Sequence, residues 1–342
     1  MPGRMPAEWA PHEATWIAWP HEESDWPGKF EPVQWVYGEF VRLVAGHERV
    51  RILVPSAEVR KQARKVLAKC GAPLAQVDFH TCPTDRSWTR DYCPIFVTGA
   101  EGERVATDWK FNGWAKYRNW KRDNAVPEFV ARKLGVRREA VNAVLEGGAI
   151  DVNGGGLLLA TKECLLDPEV QTRNPGMNQA ALEELLRLHL GAEKVLWLER
   201  GIVGDDTHGH IDDVARFVDA RTVVTVVEDR DPLDENWDIT HENLETLRGM
   251  TTLNGRPLRI ATLPMPGPVR FAGQRLPASY ANFYICNGLV LVPTFNDPAD
   301  RIALNTLARL FPDREVVGIY CGDLVLGLGT LHCMTQQEPA AT

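Results

Sequence analysis

Several features that would assign this chain to a specialised class of protein are missing from its 342 residues. No run of about 18 consecutive apolar residues occurs, so no transmembrane helix and no interaction with a membrane are expected. Residues 1–9 lack the apolar core of a secretory signal. We therefore expect a soluble, cytoplasmic protein.

Excess positive charge is also lacking. The chain has 38 Lys and Arg residues against 46 Asp and Glu residues, which gives a formal net charge of -8. No basic stripe interrupts this balance, and nucleic acid is excluded as an expected partner. An acidic protein of this kind suits a small cationic ligand.

Paired cysteines are the third absence. The chain has seven cysteines, an odd number, and no C-x-x-C pair occurs among them. This pattern excludes a disulfide framework and a zinc site made of thiolates. We expect free thiols that are mostly buried, of which one could be reactive.

What remains is the composition of an ordinary globular protein, with 44% hydrophobic and 25% charged residues. The length allows two domains, or one domain whose fold closes on itself. Residues 6–30, rich in Trp and Pro, are expected to be irregular and to pack near the mouth of a site.

The order of predicted elements repeats along the rest of the chain. Predicted helices cover residues 33–44, 56–69, 178–190, 240–248 and 298–310, and a further helix begins after Pro127. Predicted strands cover residues 50–55, 76–80, 92–97, 104–108, 149–160, 195–198, 214–227, 258–262, 282–292 and 315–320. About five similar units of about 65 residues, with no linker between them, predict one domain built by radial repetition.

Residues 205–213 hold two imidazoles, His208 and His210, and four carboxylates. They precede residues 214–218, which alternate well enough to predict a half-buried strand. A solvated acidic turn is one interpretation. A metal site is another, because His-x-His followed by Asp212 offers nitrogen and oxygen ligands. A third is a His/Asp pair that serves a nucleophile from far away in the sequence.

Cys333 is the cysteine whose surroundings indicate reactivity. It lies in the segment 327–337, which ends in the polar run 335–337 and in which Gly327 and Gly329 give the backbone room near a ligand. A small, buried and inert thiol is the competing interpretation.

Two further segments place a carboxylate next to a predicted strand. Asp91 follows Trp88 by three residues, so a flat apolar wall and a carboxylate could bind one planar cation. Glu146 precedes the paired glycines Gly147 and Gly148. A surface turn and a hairpin turn are the alternatives for these two segments.

Together these segments resemble the family of the agmatine deiminases and bacterial peptidylarginine deiminases, in the guanidine-modifying, amidinotransferase-like superfamily. The resemblance spans essentially the whole chain, 1–342. Its motifs are Met-Pro-Ala-Glu-Trp at 5–9, Trp-x-Arg-Asp at 88–91, Glu-Gly-Gly at 146–148, Gly-His-Ile-Asp at 209–212 and His-Cys-Met-Thr-Gln-Gln at 332–337. It implies an α/β fold in a single domain, a five-bladed propeller with pseudo-fivefold symmetry.

The resemblance also implies a reaction, the hydrolysis of agmatine to N-carbamoylputrescine and ammonia. The thiol of Cys333 would form a covalent thiouronium intermediate without a cofactor or a metal. Asp91 and Asp212 are expected to clamp the guanidinium, His210 to transfer protons, and Glu146 to orient His210.

Other guanidine compounds, including peptidylarginine, are the alternative substrates. An alternative of a different class is a zinc-dependent hydrolase that uses His208, His210 and Asp212. His208 is otherwise interpreted as a turn residue or an indirect partner of the site.

The chain departs from the family pattern near the expected pocket. Cys93 stands where the family commonly has Gly, and Asp213 where it usually has Asn. The substrate is expected to contact Trp88 and Gly329, and its ammonium end to meet Asp205, Asp206 or a carboxylate of the N-terminal segment. A homodimer is a further possibility.

Overall fold

Short strands and helices alternate along the computed structural model, which describes residues 3–341. Its strands are β1 (His12–Ala18), β2 (Arg49–Val54), β3 (Val77–Thr81), β4 (Ile95–Thr98), β5 (Arg104–Lys110), β6 (Arg137–Val144), β7 (Asp151–Val152), β8 (Leu157–Thr161), β9 (Lys194–Leu198), β10 (Ala215–Phe217), β11 (Thr222–Val227), β12 (Arg259–Pro264), β13 (Arg270–Phe271), β14 (Gln274–Arg275), β15 (Tyr284–Cys286), β16 (Leu289–Thr294), β17 (Glu315–Tyr320) and β18 (Gln336–Pro339). Its helices are α1 (Phe30–Val44), α2 (Ala57–Lys69), α3 (Thr89–Tyr92), α4 (Val126–Leu134), α5 (Lys162–Leu166), α6 (Gln179–Leu190), α7 (Trp237–Arg248) and α8 (Pro298–Leu310). The predicted domain extends beyond the described residues at Met1, Pro2 and Thr342.

Four three-stranded sheets repeat one connectivity. In each, the first two strands are antiparallel, and at least one helix leads from the second strand to a third that runs parallel to it. These sheets are β4-β5-β6, β7-β8-β9, β10-β11-β12 and β15-β16-β17. The predicted repeat of two strands, a helix and a strand is confirmed in these four sheets.

A further sheet, β18-β1-β2-β3, joins the two ends of the described chain. β18 is antiparallel to β1, while β2 runs parallel to β1 and β3 parallel to β2. The expectation that residues 6–30 are irregular is therefore wrong for His12–Ala18. Local pattern could not reveal this strand, because its antiparallel partner lies more than 300 residues away, as the 322-residue separation of Trp16 and Glu338 shows.

The helices begin where side chains satisfy free backbone N–H groups. The Ser56 hydroxyl accepts from the backbone of Val59 at 3.3 Å, and the Asn178 side chain accepts from that of Ala181 at 2.9 Å. Asp297 forms a capping box with Asp300 before α8. The starts of α2, α6 and α8 agree with those predicted from the sequence, whereas α7 begins three residues before the predicted position 240.

The prediction that residues 214–218 form a half-buried strand is wrong, because every residue of this stretch is buried. Arg216, whose charge suggested a side facing solvent, is fully buried and forms ion pairs with Glu8 and Asp151. Along the described part of the chain, no helix combines the length and the apolar character that crossing a membrane requires.

Candidate active site

Cys333 lies at the floor of a cavity of about 460 Å³ and is 6% exposed. Its Sγ accepts a hydrogen bond from Asn282 Nδ2 at 3.1 Å and lies 3.6 Å from Asp212 Oδ2. Burial, followed by the charges of Asp212, Asp213 and Asp91, raises the pKa of the thiol well above its ordinary value. In the ligand-free protein Cys333 is therefore a neutral thiol.

Asp91 is held by the short helix α3 at the wall of the same cavity. Its Oδ2 accepts from the indole of Trp114 at 2.8 Å, and its Oδ1 accepts from the backbone of Gly148 at 3.1 Å. Burial raises the pKa of Asp91 to about 6, against the influence of His210. Among residues 3–341 no Lys or Arg pairs with this carboxylate, and His210 Nδ1 lies 3.9 Å from its Oδ1.

Asp212 lies in the turn Ile211–Asp213 and is fully buried. Its Oδ2 accepts from His332 Nδ1 at 2.7 Å, whereas its Oδ1 has no hydrogen-bond partner among the described residues. Burial opposes ionisation, but the hydrogen bond and charge of His332, with His210 and Arg216, lower the pKa of Asp212. One oxygen of an ionised carboxylate is thus left free.

His210 lies between the two carboxylates. Its Nδ1 is 3.9 Å from Asp91 Oδ1 and 3.8 Å from Asp212 Oδ1, and neither ring nitrogen forms a hydrogen bond of good geometry within residues 3–341. Burial disfavours the charged ring, but Asp91, Cys164 and Asp212 together raise the pKa of His210 well above its ordinary value. His210 is therefore an imidazolium with free donors.

Glu146 is completely buried behind His210, and one of its oxygens lies within 4.8 Å of both a nitrogen of His210 and the sulfur of Cys164. Its Oε1 accepts from Arg173 Nε at 2.8 Å, and its Oε2 has no partner among the described residues. The expected closeness of Glu146 and His210 is found, but Arg173 takes the direct hydrogen bond.

Gly148 explains why paired glycines follow Glu146. A Cβ at Gly148 would lie 2.6 Å from His210 Nδ1 and 2.8 Å from Asp91 Oδ1, so it would displace these side chains from their positions. The glycine therefore allows the carboxylate and the imidazole to meet. Cys333 and Asp91 line one cavity, and the fully buried Asp212 and His210 lie next to them, 3.6 Å from the thiol and 3.9 Å from Asp91 respectively. A neutral thiol, two carboxylates and an imidazolium therefore lie together, an arrangement that can bind a small cation and attack it.

The sequence profile of the family described as Porphyromonas-type peptidyl-arginine deiminase matches residues 4–339. The chain belongs to this family. A protein of Marinomonas sp. (strain MWYL1), provisionally named an agmatine deiminase, is 36% identical over 98% of this chain and 94% of its own length.

Solved structures of similar proteins extend the comparison. An agmatine deiminase of Enterococcus faecalis has a TM-score of 0.92 at 30% identity, covering 99% of this chain and 96% of that one. A cysteine-to-serine variant of C. jejuni agmatine deiminase with substrate bound has a TM-score of 0.89 at 30% identity, covering 100% and 97%. An amidinotransferase of Microseira wollei, at 12% identity and a TM-score of 0.54 over 100% and 99% of the chains, shares the fold.

In this member of the peptidyl-arginine deiminase family, Trp88 forms one wall of the cavity. A Cβ at Gly329 would lie 2.9 Å from the Trp88 ring and 3.0 Å from the Cβ of Cys333. Gly329 is thus required by close packing between the indole and the nucleophile candidate. Trp88 lines the cavity, whereas Gly329 supports this wall without lining the cavity, and the contact of either residue with the substrate stays a prediction.

The rim of the cavity carries charges of both signs. Asp206 accepts a hydrogen bond from the Tyr117 hydroxyl at 2.7 Å and pairs with Lys116. Asp25 pairs with Arg86, whose guanidinium lies 4.8 Å from the centre of the Tyr117 ring, and burial raises the pKa of Asp25 to about 6 in spite of that partner. The carboxylates expected in the N-terminal segment and at 206 are therefore both present.

Asp205 is not part of this rim. Its Oδ2 accepts from the backbone N–H groups of Gly209 at 2.8 Å and His210 at 2.7 Å, so it shapes the turn that presents the imidazole. His208 has a φ of 66° and its Nε2 lies 2.8 Å from Asp167 Oδ2. A turn residue is the interpretation that this geometry favours for His208.

The zinc alternative is not favoured. Within residues 3–341, the His, Cys, Asp and Glu group compact enough for a metal joins Glu146, Cys164 and His210 and includes neither His208 nor Asp212. The Arg173 guanidinium already supplies positive charge at Glu146, which argues against a cation there.

Sequence reasoning missed Asn282, Trp114 and Arg173, which contact Cys333, Asp91 and Glu146. None of them lies in a recognised motif, and no local pattern marks them. Cys93 does not line the cavity but packs in the core, where burial raises the pKa of its thiol well above the ordinary range.

Proposed function

We propose that the protein is an agmatine deiminase, which hydrolyses the guanidinium of agmatine to N-carbamoylputrescine and ammonia. The observation that carries this proposal is the unpaired Oδ1 of Asp212 next to the partly paired Asp91 and the buried Cys333. A buried charge without a partner costs free energy, and a bound cation would pair with the carboxylates of Asp212 and Asp91.

Asp91 and Asp212 would hold the guanidinium. A guanidinium is planar and delocalised, so a nucleophile reaches its central carbon only when its charge is balanced and its plane is fixed. Each carboxylate at about 4 Å contributes on the order of 4 kcal/mol at an effective dielectric constant of about 20. Two carboxylates also set the orientation of the plane.

Substrate binding would activate the thiol. The same carboxylates that raise the pKa of Cys333 are neutralised when the cation binds between them, and its positive charge favours the thiolate. The thiol proton would leave to water as the cation enters. The nucleophile is then formed only in the presence of the substrate.

His210 would act first as an acid and then as a base. The thiolate of Cys333 attacks the guanidinium carbon, and the imidazolium donates its proton to the departing nitrogen, which leaves as ammonia. A thiouronium on Cys333 remains. Neutral His210 then takes a proton from water, the hydroxide adds to the same carbon, and the C–S bond breaks to release the ureido product and the thiolate.

Glu146 would favour the charged form of His210 between turnovers. Its carboxylate lies behind the ring, and a negative charge at this distance stabilises an imidazolium. Arg173 would fix the position of that carboxylate through its hydrogen bond.

The ammonium end of the substrate would bind at the rim of the cavity. Asp206 is our candidate partner for the free ammonium of agmatine, while Trp88 covers the guanidinium end. Arg86 could instead meet the carboxylate of arginine, but Asp25 already pairs with it. Asp206 in turn pairs with Lys116, so the support for the amine over an amino acid or a peptide comes from the similar solved structures of agmatine deiminases.

The fold proposal is a five-bladed propeller formed by a single domain of residues 1–342. Five sheets with related connectivity support it. The buried carboxylate of Glu8 supports it as well, because it contacts Arg90, Arg216, Ile285 and His332, which come from separate parts of the chain, as expected near an axis. A homodimer and a cytoplasmic location stay predictions.

A substrate panel tests the proposed function. Agmatine, free arginine, a peptide ending in arginine and a peptide with internal arginine are compared at equal concentration by ammonia release. We expect agmatine to lead in kcat/KM by at least about tenfold, on the order of 1.4 kcal/mol of differential transition-state binding.

Cys333→Ala is the blank for this assay, and Cys93→Ser is its control with an intact nucleophile. More than a tenth of the activity in Cys333→Ala would remove the thiol mechanism. A lead by a peptide or by free arginine would leave the mechanism standing and replace the substrate.

A further inference from the structure

Glu8 is a buried carboxylate in the middle of the fold, 6% exposed. Its Oε2 accepts from Arg216 Nη2 at 2.9 Å and lies 2.8 Å from His332 Nε2, and its Oε1 accepts from the backbone of Ile285 at 2.8 Å. Burial opposes its ionisation, but Arg216, His332 and Arg90 hold the pKa of Glu8 well below the ordinary value. Glu8 is therefore ionised.

His332, the residue before the nucleophile, lies between two such carboxylates and is 2% exposed. Its Nε2 faces Glu8 Oε2 at 2.8 Å and its Nδ1 faces Asp212 Oδ2 at 2.7 Å. An ionised carboxylate oxygen can only accept, so each ring nitrogen must carry a proton. His332 is an imidazolium by this geometry.

We propose that Glu8 and His332 are positioning residues for the guanidinium clamp: Glu8 keeps His332 charged, and the buried imidazolium keeps Asp212 ionised with its Oδ1 free for substrate. This inference rests on the proposed deiminase function. It completes a line of alternating buried charges, Asp151, Arg216, Glu8, His332 and Asp212.

The other charges around Asp212 cannot replace this cation. His210 Nδ1 lies 3.8 Å from its Oδ1, but His210 gives up its proton during the proposed cycle. Cys333 is a neutral thiol, burial raises the pKa of Asp213 well above its ordinary value, and Arg216 forms its ion pairs with Glu8 and Asp151 and not with Asp212. His332 is the close cation that does not change during turnover.

The first test is His332→Asn, whose amide can keep the hydrogen bond to Asp212 but carries no charge. Without the cation, the pKa of Asp212 should rise. Since the clamp needs the ionised form, the loss of kcat/KM relative to wild type should be at least about tenfold larger at pH 5 than at pH 8.

His12→Asn is the matched control, because His12 is also buried and lies 3.2 Å from a buried carboxylate, Glu48, outside the cavity. It should lower stability without a pH-dependent loss of activity. An equal loss at both pH values in His332→Asn would identify a merely structural role and overturn the proposal.

A second measurement does not depend on catalysis. In inactive Cys333→Ala protein, ¹⁵N NMR of the imidazoles should show a proton on each of the two His332 nitrogens. Adding Glu8→Gln should remove one of these protons, whereas Glu48→Gln should not. A proton on only one His332 nitrogen with Glu8 intact would overturn the proposal, whatever the substrate panel shows.

Discussion

Two groups of buried charges lie side by side in this protein and differ in how completely their hydrogen bonds are formed. Around Glu8, the carboxylates and cations contact each other at hydrogen-bond distances. In the cavity next to it, Asp212 Oδ1 and both nitrogens of His210 lack good hydrogen bonds within the described chain. The fully paired charges around Glu8 stabilise the fold. The incompletely paired group of Asp212, His210 and Asp91 is where a charged ligand would supply the missing partners.

The largest effect on kcat/KM should follow from substitutions in the incompletely paired group, at Asp91 and Asp212. Asp91→Asn and Asp212→Asn each leave a bound guanidinium half-paired, which costs about 3 to 5 kcal/mol by the rule for broken buried pairs. We expect kcat/KM to fall by the corresponding factor, with binding and rate affected together, while Asp91→Asn changes the free energy of unfolding by less than about 1 kcal/mol.

Asp78→Asn, which affects a partly exposed ion pair with Arg49, is the control and should keep normal kinetics. Wild-type kinetics in either clamp variant would place that carboxylate outside the reaction.

A substitution in the fully paired group around Glu8 should lower the free energy of unfolding. Arg216→Met leaves Glu8 and Asp151 without their shared cation, and we expect the free energy of unfolding to fall by at least about 3 kcal/mol in denaturant titrations. Arg259→Met, at an exposed pair with Asp219, should change it by less than about 1 kcal/mol. Equal stability of the two variants would contradict the distinction between the groups.

The smallest effect is a pH dependence set by Asp91. Its pKa of about 6 is raised above the ordinary value, so the ionised form needed for binding is present above pH 6 and disappears as the pH falls through it. The kcat/KM for agmatine should drop about tenfold for each pH unit below that point. A profile that stays flat down to pH 4.5 would show that Asp91 is not protonated in this range.

Local sequence predicted elements whose stabilising contacts are also local. The starts of α2, α6 and α8 follow from Ser56, Asn178 and Asp297, which cap the helix that they precede. β1 was missed because β18 completes its sheet. The prediction that β10 is only half-buried failed because the charge of Arg216 is balanced by Glu8 and Asp151, which lie far away in the sequence.

The same limit applies to the site. Family motifs located Cys333 and Asp91, which line one cavity, and His210, which is buried next to Asp91. They could not show that Arg173, rather than His210, donates to Glu146, or that His332 bridges Glu8 and Asp212. Motifs identify residues, whereas the partner of each charge is decided by three-dimensional contacts.

The pairing of β1 with β18 has a consequence for the order of folding. Trp16 donates to Glu338 at a sequence separation of 322 residues, so this contact carries a large cost in loop-closure entropy. Contacts between distant residues form slowly compared with the local contacts inside the other four sheets. Because Cys333 lies just before β18, we expect refolding to restore helical and sheet content before catalytic competence, with the nucleophile among the last groups to reach its place.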